Sequence, residues 1–79
     1  MSTAAELEEE DRRVRQLRMV VSLALSVIGQ TDMTLAQAQE MVSATRSMAL
    51  RLFPGKELAF DLIYLPRFRR LLAERYRFH

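Results

Sequence analysis

The chain has 79 residues, a net charge of +2, no cysteine and a single histidine, His79, at its last position. These counts exclude disulfides, iron–sulfur clusters and thiolate zinc sites, and they leave no internal histidine for a zinc or haem site. The hydrophobic fraction of 49% is sufficient for one small domain, residues 1–79, in which we expect no metal and no other cofactor.

The first predicted element is a long helix over residues 4–29. Thr3 and Glu6 have the spacing of a capping box, and Gly29 is the expected stop. In the first half of the helix, acidic residues precede basic ones: Glu6, Glu8, Glu9, Glu10 and Asp11 come before Arg12, Arg13, Arg15 and Arg18. This order gives i,i+4 ion pairs in their favourable direction.

The second half of this helix is apolar on two sides. One stripe has near-heptad spacing and is expected to face the core: Leu7, Val14, Leu17, Val21, Ala24 and Ile28. A second stripe, Val20, Leu23 and Val27, lies roughly 100° or more away and is the candidate protein interface. It is covered either by a second copy of the chain or by the C-terminal helices.

The length of the helix favours the second copy. A helix of this length spans about 39 Å, whereas a compact globule of this size is roughly 30 Å across. Residues 1–12 are therefore expected to overhang the domain or to fray. An antiparallel second copy would place Glu8–Asp11 of one chain near the arginines of the other, with the second stripe at the centre of a two-fold interface.

The second predicted helix covers residues 35–53. Thr34 and Gln37 form another capping-box pattern, and Phe53-Pro54-Gly55 ends the helix because proline disfavours helical geometry in the residue before it. Its expected inward face contains Leu35, Ala38, Met41, Val42, Thr45, Met48, Ala49, Leu52 and Phe53. The short connection to the first helix favours an antiparallel αα-hairpin.

Two short helices complete the prediction. The first covers residues 56–64, with Phe60, Ile63 and Tyr64 facing inward, and the second covers residues 67–77 after Pro66. Phe68, Leu71 and Leu72 form the apolar face of the last helix, and Arg75 projects within it. We expect Arg75 either to pair with Asp61 or Glu57 or to reach water at the helix end. The fold class is an all-α bundle in which both short helices lie across a long hairpin.

The last helix is also the candidate nucleic-acid contact. Arg69, Arg70 and Arg77 are predicted to share its outer face, and arginines interleaved with Phe68, Tyr76 and Phe78 suit phosphates and unpaired bases. The alternative is an ordinary solvated cationic face. The composition resembles a membrane-surface helix less well, since the arginines are not confined to one face.

Enzymatic chemistry has little support in the sequence. The serines have no internal histidine to act as a base, and no glycine-rich phosphate loop occurs. The longest apolar run, residues 19–28, is about half the length that a membrane-spanning helix needs, and the N-terminus is acidic, unlike a secretory signal. We therefore predict a cytoplasmic, non-enzymatic protein–protein interaction module, either a homodimer or a small subunit of a larger assembly. The alternative is a small nucleic-acid-binding protein.

Overall fold

The computed structural model describes residues 3–77. That part of the chain contains four helices and no strand: α1 (Ala4–Gln30), α2 (Leu35–Leu52), α3 (Glu57–Ile63) and α4 (Leu65–Arg75). The predicted all-α bundle, with a long first helix and two short C-terminal helices, is confirmed. Phe78 and His79, which belong to the predicted basic and aromatic tail, lie outside the described residues.

Both long helices begin at a threonine cap. The Gln37 backbone N–H donates to Thr34 Oγ1 at 3.1 Å, and the Thr34 backbone N–H donates to Gln37 Oε1 at 2.9 Å, which completes the predicted capping box of α2. At α1 the Glu6 backbone N–H donates to Thr3 Oγ1 at 3.2 Å. These bonds satisfy amide groups that have no partner inside the helix, and so they fix where each helix starts.

The end of α1 differs from the prediction. Gly29 remains helical, and the helix continues to Gln30 before Thr31 takes an extended conformation, φ −108° and ψ 156°. The Thr31 backbone N–H donates to the Val27 carbonyl at 3.0 Å. Gly55 is the glycine with positive φ, 80°, in the turn that follows α2. Glycine ends a helix only where it adopts that conformation, which explains why Gly29 does not.

The core is built from the predicted stripes. Its buried apolar residues are Val21, Ala24, Ile28, Ala38, Val42, Ala49, Phe60 and Phe68. Thr45 is buried with them, and its hydroxyl donates to the Met41 carbonyl at 2.8 Å, so its polar atom is satisfied. Three predicted inward residues are exposed instead: Leu7, Met48 and Ile63. Leu7 lies on the part of α1 beyond the core, and Ile63 borders a groove described below.

The two short helices do not lie symmetrically on the hairpin. α4 packs against both α1 and α2, whereas no Cα atom of α3 lies within 8 Å of one of α1. α3 closes the bundle from the side of α2 and α4, with Phe60 in the common core. The Arg46 guanidinium binds both carboxylate oxygens of Asp61, at 2.8 and 3.0 Å, which holds α3 on the α2 side of the bundle.

The end of α4 is attached to the connection between α1 and α2. The Arg75 guanidinium donates to the Thr31 carbonyl, and the Tyr76 hydroxyl donates to the Met33 carbonyl at 2.8 Å. Arg75 thus pairs with neither Asp61 nor Glu57. It is an exposed side chain that supplies positive charge and a donor to the C-terminal end of α1, whose own last turn has no basic residue.

Candidate interaction surfaces

The second apolar stripe of α1 is partly open to solvent. Val20 and Val27 are half-buried, Leu23 is 63% exposed, and the adjacent Met19 is 68% exposed. We name this surface, Met19, Val20, Leu23 and Val27, the hairpin face. Large apolar side chains exposed next to each other are characteristic of contact surfaces rather than of a solvated helix.

The C-terminal helices pack on the other side of α1. Leu25 shares a surface depression with Arg67 and Leu71 of α4. At 100° per residue, Val20 and Val27 project roughly 150° away from Leu25 around the helix. The hairpin face therefore points away from α4, and no Cα atom of α3 lies within 8 Å of one of α1.

Helical phase also indicates which side of α2 faces away from the C-terminal helices. Arg46 of α2 points toward α3, where it binds Asp61. Met48 projects roughly 160° from Arg46 around α2 and is 44% exposed. Near the other end of the hairpin, Gln16 and Leu52 line one shallow groove between α1 and α2. Helical phase therefore puts Met48 on the side of α2 that faces away from α3, as the hairpin face is on the side of α1 that faces away from α4.

A separate groove runs between α1 and α3. It has a volume of about 350 Å³ and is lined by Glu10, Leu17, Ala49, Leu50, Phe53, Lys56, Ala59, Phe60, Ile63 and Tyr64. A second depression, lined by Ala5, Glu6, Glu9, Glu10, Arg13 and Phe53, shares Glu10 and Phe53 with this groove. We name the combined feature the α1/α3 groove. Its floor is the C-terminal end of α2, and most of its lining is apolar.

The α3 helix exposes more apolar surface than the sequence predicted. Leu58 is 70% exposed, Leu62 68% and Ile63 59%, although the helix has only seven residues. Only Phe60 of this helix is buried. A helical-wheel reading could have found Leu58 and Leu62, since they stand opposite Phe60, but the exposure of Ile63 depends on the distance between α3 and α1.

The acidic end of α1 has few ion-pair partners. Glu9 pairs with Arg13 at 3.2 Å, as predicted from the sequence. Within residues 3–77, no ion pair is formed by Glu6, Glu8, Glu10 or Asp11. Arg15 donates through Nε to the Asp11 backbone carbonyl at 3.5 Å rather than to its carboxylate. All residues from 3 to 13 are exposed.

Asp61 is the residue with the most distinctive electrostatic environment. The hydrogen-bonded Arg46 guanidinium lowers the pKa of Asp61, partial desolvation opposes this, and the positive charges of Arg46 and Arg69 lower it further. The same hydrogen bond raises the pKa of Arg46. The positive charge of Arg69, one of the three candidate nucleic-acid arginines, thus also acts on Asp61.

The other components of the candidate nucleic-acid surface are dispersed. Arg69 and Arg70 are exposed on α4, but Arg77 lies after the helix ends at Arg75, so helical phase no longer places it beside them. Phe68 is fully buried, and Tyr76 is held by its bond to Met33 with Arg75 5.7 Å from its ring centre. Neither aromatic residue is available for stacking on a base.

No metal site or membrane span is evident in the described residues. Between Thr3 and Arg77, no group of three or more His, Cys, Asp or Glu side chains is arranged to hold a metal ion. None of the helices formed by these residues is long and apolar enough to cross a membrane.

The chain matches no family model, no curated protein and no solved structure.

Proposed function

We propose that this chain is a non-enzymatic protein–protein interaction module that self-associates through the hairpin face. It acts as a homodimer, either alone or as a small subunit of a larger assembly. The observation that carries the proposal is the exposure of Leu23, 63%, and Met19, 68%, in the middle of the longest helix. The competing explanation, in which the C-terminal helices cover this stripe, is disfavoured because Leu23 stays exposed, α4 packs on the other side of α1, and α3 packs on α2 and α4.

Charge supports a second copy as the occupant. From Met19 to Thr31 the sequence contains no ionisable side chain. A two-fold contact brings the same surface of each protomer together, so any charge at its centre would meet a like charge. A surface that is apolar and uncharged is compatible with itself, and the flanking Met48 of α2 allows two hairpins to pack as a four-helix arrangement.

The proposed two-fold axis is incompatible with one contact that the sequence suggested. In an antiparallel contact centred on Leu23, Gln16 of one copy lies opposite Gln30 of the other. Glu8–Asp11 then projects past the end of the second copy's α1, which stops at Gln30. Pairing these acids with the α1 arginines requires an axis near Arg12, about 16 Å away along the helix. One axis cannot serve both contacts, and we retain the apolar one.

Sedimentation equilibrium at micromolar concentration tests the proposal. The wild-type chain is expected at twice its monomer mass of 9.2 kDa, and Leu23→Glu is expected at the monomer mass with unchanged helical circular dichroism. Burying a carboxylate at the centre of the interface without a partner disfavours the dimer strongly.

Leu58→Glu is the matched control, since Leu58 is equally exposed but lies on α3. This variant should remain a dimer. A wild-type mass of 9.2 kDa at every concentration, or dissociation by Leu58→Glu and not by Leu23→Glu, would refute self-association through the hairpin face. The nucleic-acid alternative is tested by retention of the same samples on a single-stranded DNA column. The corresponding triple variant replaces Arg69, Arg70 and Arg77 by glutamine.

A further inference from the structure

We propose that the α1/α3 groove is a docking site for a basic amphipathic helix from another protein. This site is separate from the hairpin face and does not depend on self-association. It is defined by the gap between α1 and α3, by an apolar floor at the end of α2, and by carboxylates along the α1 wall.

The shape of the groove suits a short helix. The α1 wall runs from Ala5 to Leu17, which at 1.5 Å per residue is about 18 Å, or roughly three helical turns. The floor and the α3 wall present Phe53, Ala59 and Ile63, of which Ile63 is 59% exposed. Apolar side chains at i, i+3, i+4 and i+7 of a bound helix would cover this lining.

The α1 wall carries exposed carboxylates on the side of the helix that, further along, faces the core. Glu10 lies seven residues before Leu17, and Glu6 lies four residues earlier again, so both continue the helical phase of the core stripe. Where the bundle covers α1, the residues on this side of the helix are apolar. Beyond the bundle, this side carries Glu6 and Glu10, and neither forms an ion pair within residues 3–77.

These carboxylates specify the charge of the ligand. Covering them with an apolar or acidic segment would remove them from water without a partner, which is unfavourable, whereas lysine or arginine side chains on the ligand would compensate them. Arg13 in the same wall is already paired with Glu9. Lys56 lies in the lining contributed by the segment before α3, so the basic side of the ligand faces α1.

A second copy of this chain does not offer such a ligand in its described residues. The strongly basic helix is α4, but its apolar side is occupied, since Phe68 lies in the core and Leu71 and Leu72 pack against it. The N-terminal half of α1 carries five acidic residues beside its arginines, so it is not a uniformly basic helix. The occupant is therefore a helix of a different protein.

The test uses the full chain and two 14-residue fluorescent peptides with the same leucine face, one with lysine and one with glutamate at the polar positions. We expect the lysine peptide to bind, the glutamate peptide to bind at least tenfold more weakly, and the difference to shrink in high salt. Glu6→Gln with Glu10→Gln should weaken binding of the lysine peptide about threefold to tenfold at low salt, as expected for two exposed charges. Ile63→Asp should weaken it at least tenfold.

Two further measurements separate this site from the hairpin face. Leu23→Glu should leave the peptide affinity unchanged, even where it abolishes the dimer. When the lysine peptide is added to the wild-type chain, the amide chemical-shift changes should centre on Phe53, Ala59 and Ile63. This measurement does not require any variant to fold. Equal binding of both peptides, shift changes at Val20, Leu23 and Val27, or an unchanged affinity in Ile63→Asp with unaltered circular dichroism would overturn the proposal.

Discussion

At the scale of single residues, the contacts that join the C-terminal helices to the hairpin involve arginine, aspartate and tyrosine. Arg46 binds Asp61 across 15 positions of sequence, and Tyr76 binds the Met33 carbonyl across 43. An ion pair with two parallel hydrogen bonds fixes orientation as well as distance. The register of α3 on α2 therefore depends on two side chains that a pattern of apolar residues does not reveal.

The Arg46–Asp61 pair predicts a pH dependence of stability. Because the guanidinium lowers the pKa of Asp61 below its unfolded value of about 3.9, the pair stabilises the fold above about pH 4, and this contribution is lost as the pH falls through the folded-state pKa. Asp61→Asn should lower the melting temperature at pH 7 and have a smaller effect near pH 3. The control Glu40→Gln changes an exposed carboxylate of α2 and should have little effect at pH 7. An equal destabilisation by Asp61→Asn at both pH values would contradict this role of the pair.

At the scale of the elements, the two halves of α1 lie in different environments. From Leu17 to Ile28 it is a core helix with buried residues at Val21, Ala24 and Ile28. From residue 3 to 13 all its side chains are exposed, and the helix is supported there by its cap and one i,i+4 ion pair. An i,i+4 ion pair contributes only about 0.2–0.5 kcal/mol, and a threonine cap about 1 kcal/mol. The first half of α1 is therefore stabilised mainly by local interactions, and we expect it to open without the rest of the bundle.

The two threonine caps provide a matched test of this difference. Thr34→Ala removes a complete capping box at the packed end of the hairpin, and it should lower the free energy of unfolding by about 1 kcal/mol. Thr3→Ala removes the same type of bond at the exposed end of α1. It should reduce hydrogen-exchange protection in residues 4–10 but barely change global unfolding in urea, because that segment can open without opening the core. Equal losses of global stability would show that the first half of α1 is coupled to the bundle.

At the scale of the whole molecule, the fold is elongated. The Cα radius of gyration is 14.5 Å and the principal extents are 54 × 22 × 15 Å. A compact chain of this length has a radius of gyration of about 12 Å. The excess reflects the length of α1, which has 27 residues against 18 in α2. The α1/α3 groove follows from this mismatch, because it opens beside the end of α1 that the bundle does not cover, whereas the hairpin face is open because α4 packs on the other side of α1.

Small-angle scattering tests the shape. The monomeric Leu23→Glu variant is expected to have a radius of gyration near the value of 14.5 Å that the Cα positions give. Deletion of residues 1–9 should lower this radius while leaving the melting temperature almost unchanged. If the full-length monomer instead gave about 12 Å, as a compact chain of this size would, the first half of α1 would be folded back onto the domain, and the α1 wall of the groove would not exist in solution.

The sequence by itself determined the all-α class, the helix starts at Thr3 and Thr34, and the core stripes, because capping and helical periodicity are local properties that act within one or two turns. It did not determine the end of α1, since glycine stops a helix only in a conformation that the surrounding packing selects. Only the tertiary structure decided that α3 stands away from α1, that Arg75 binds the Thr31 carbonyl and that Arg46 binds Asp61. The physical reason is that these contacts join residues distant in sequence, and their geometry depends on how helices of unequal length pack together.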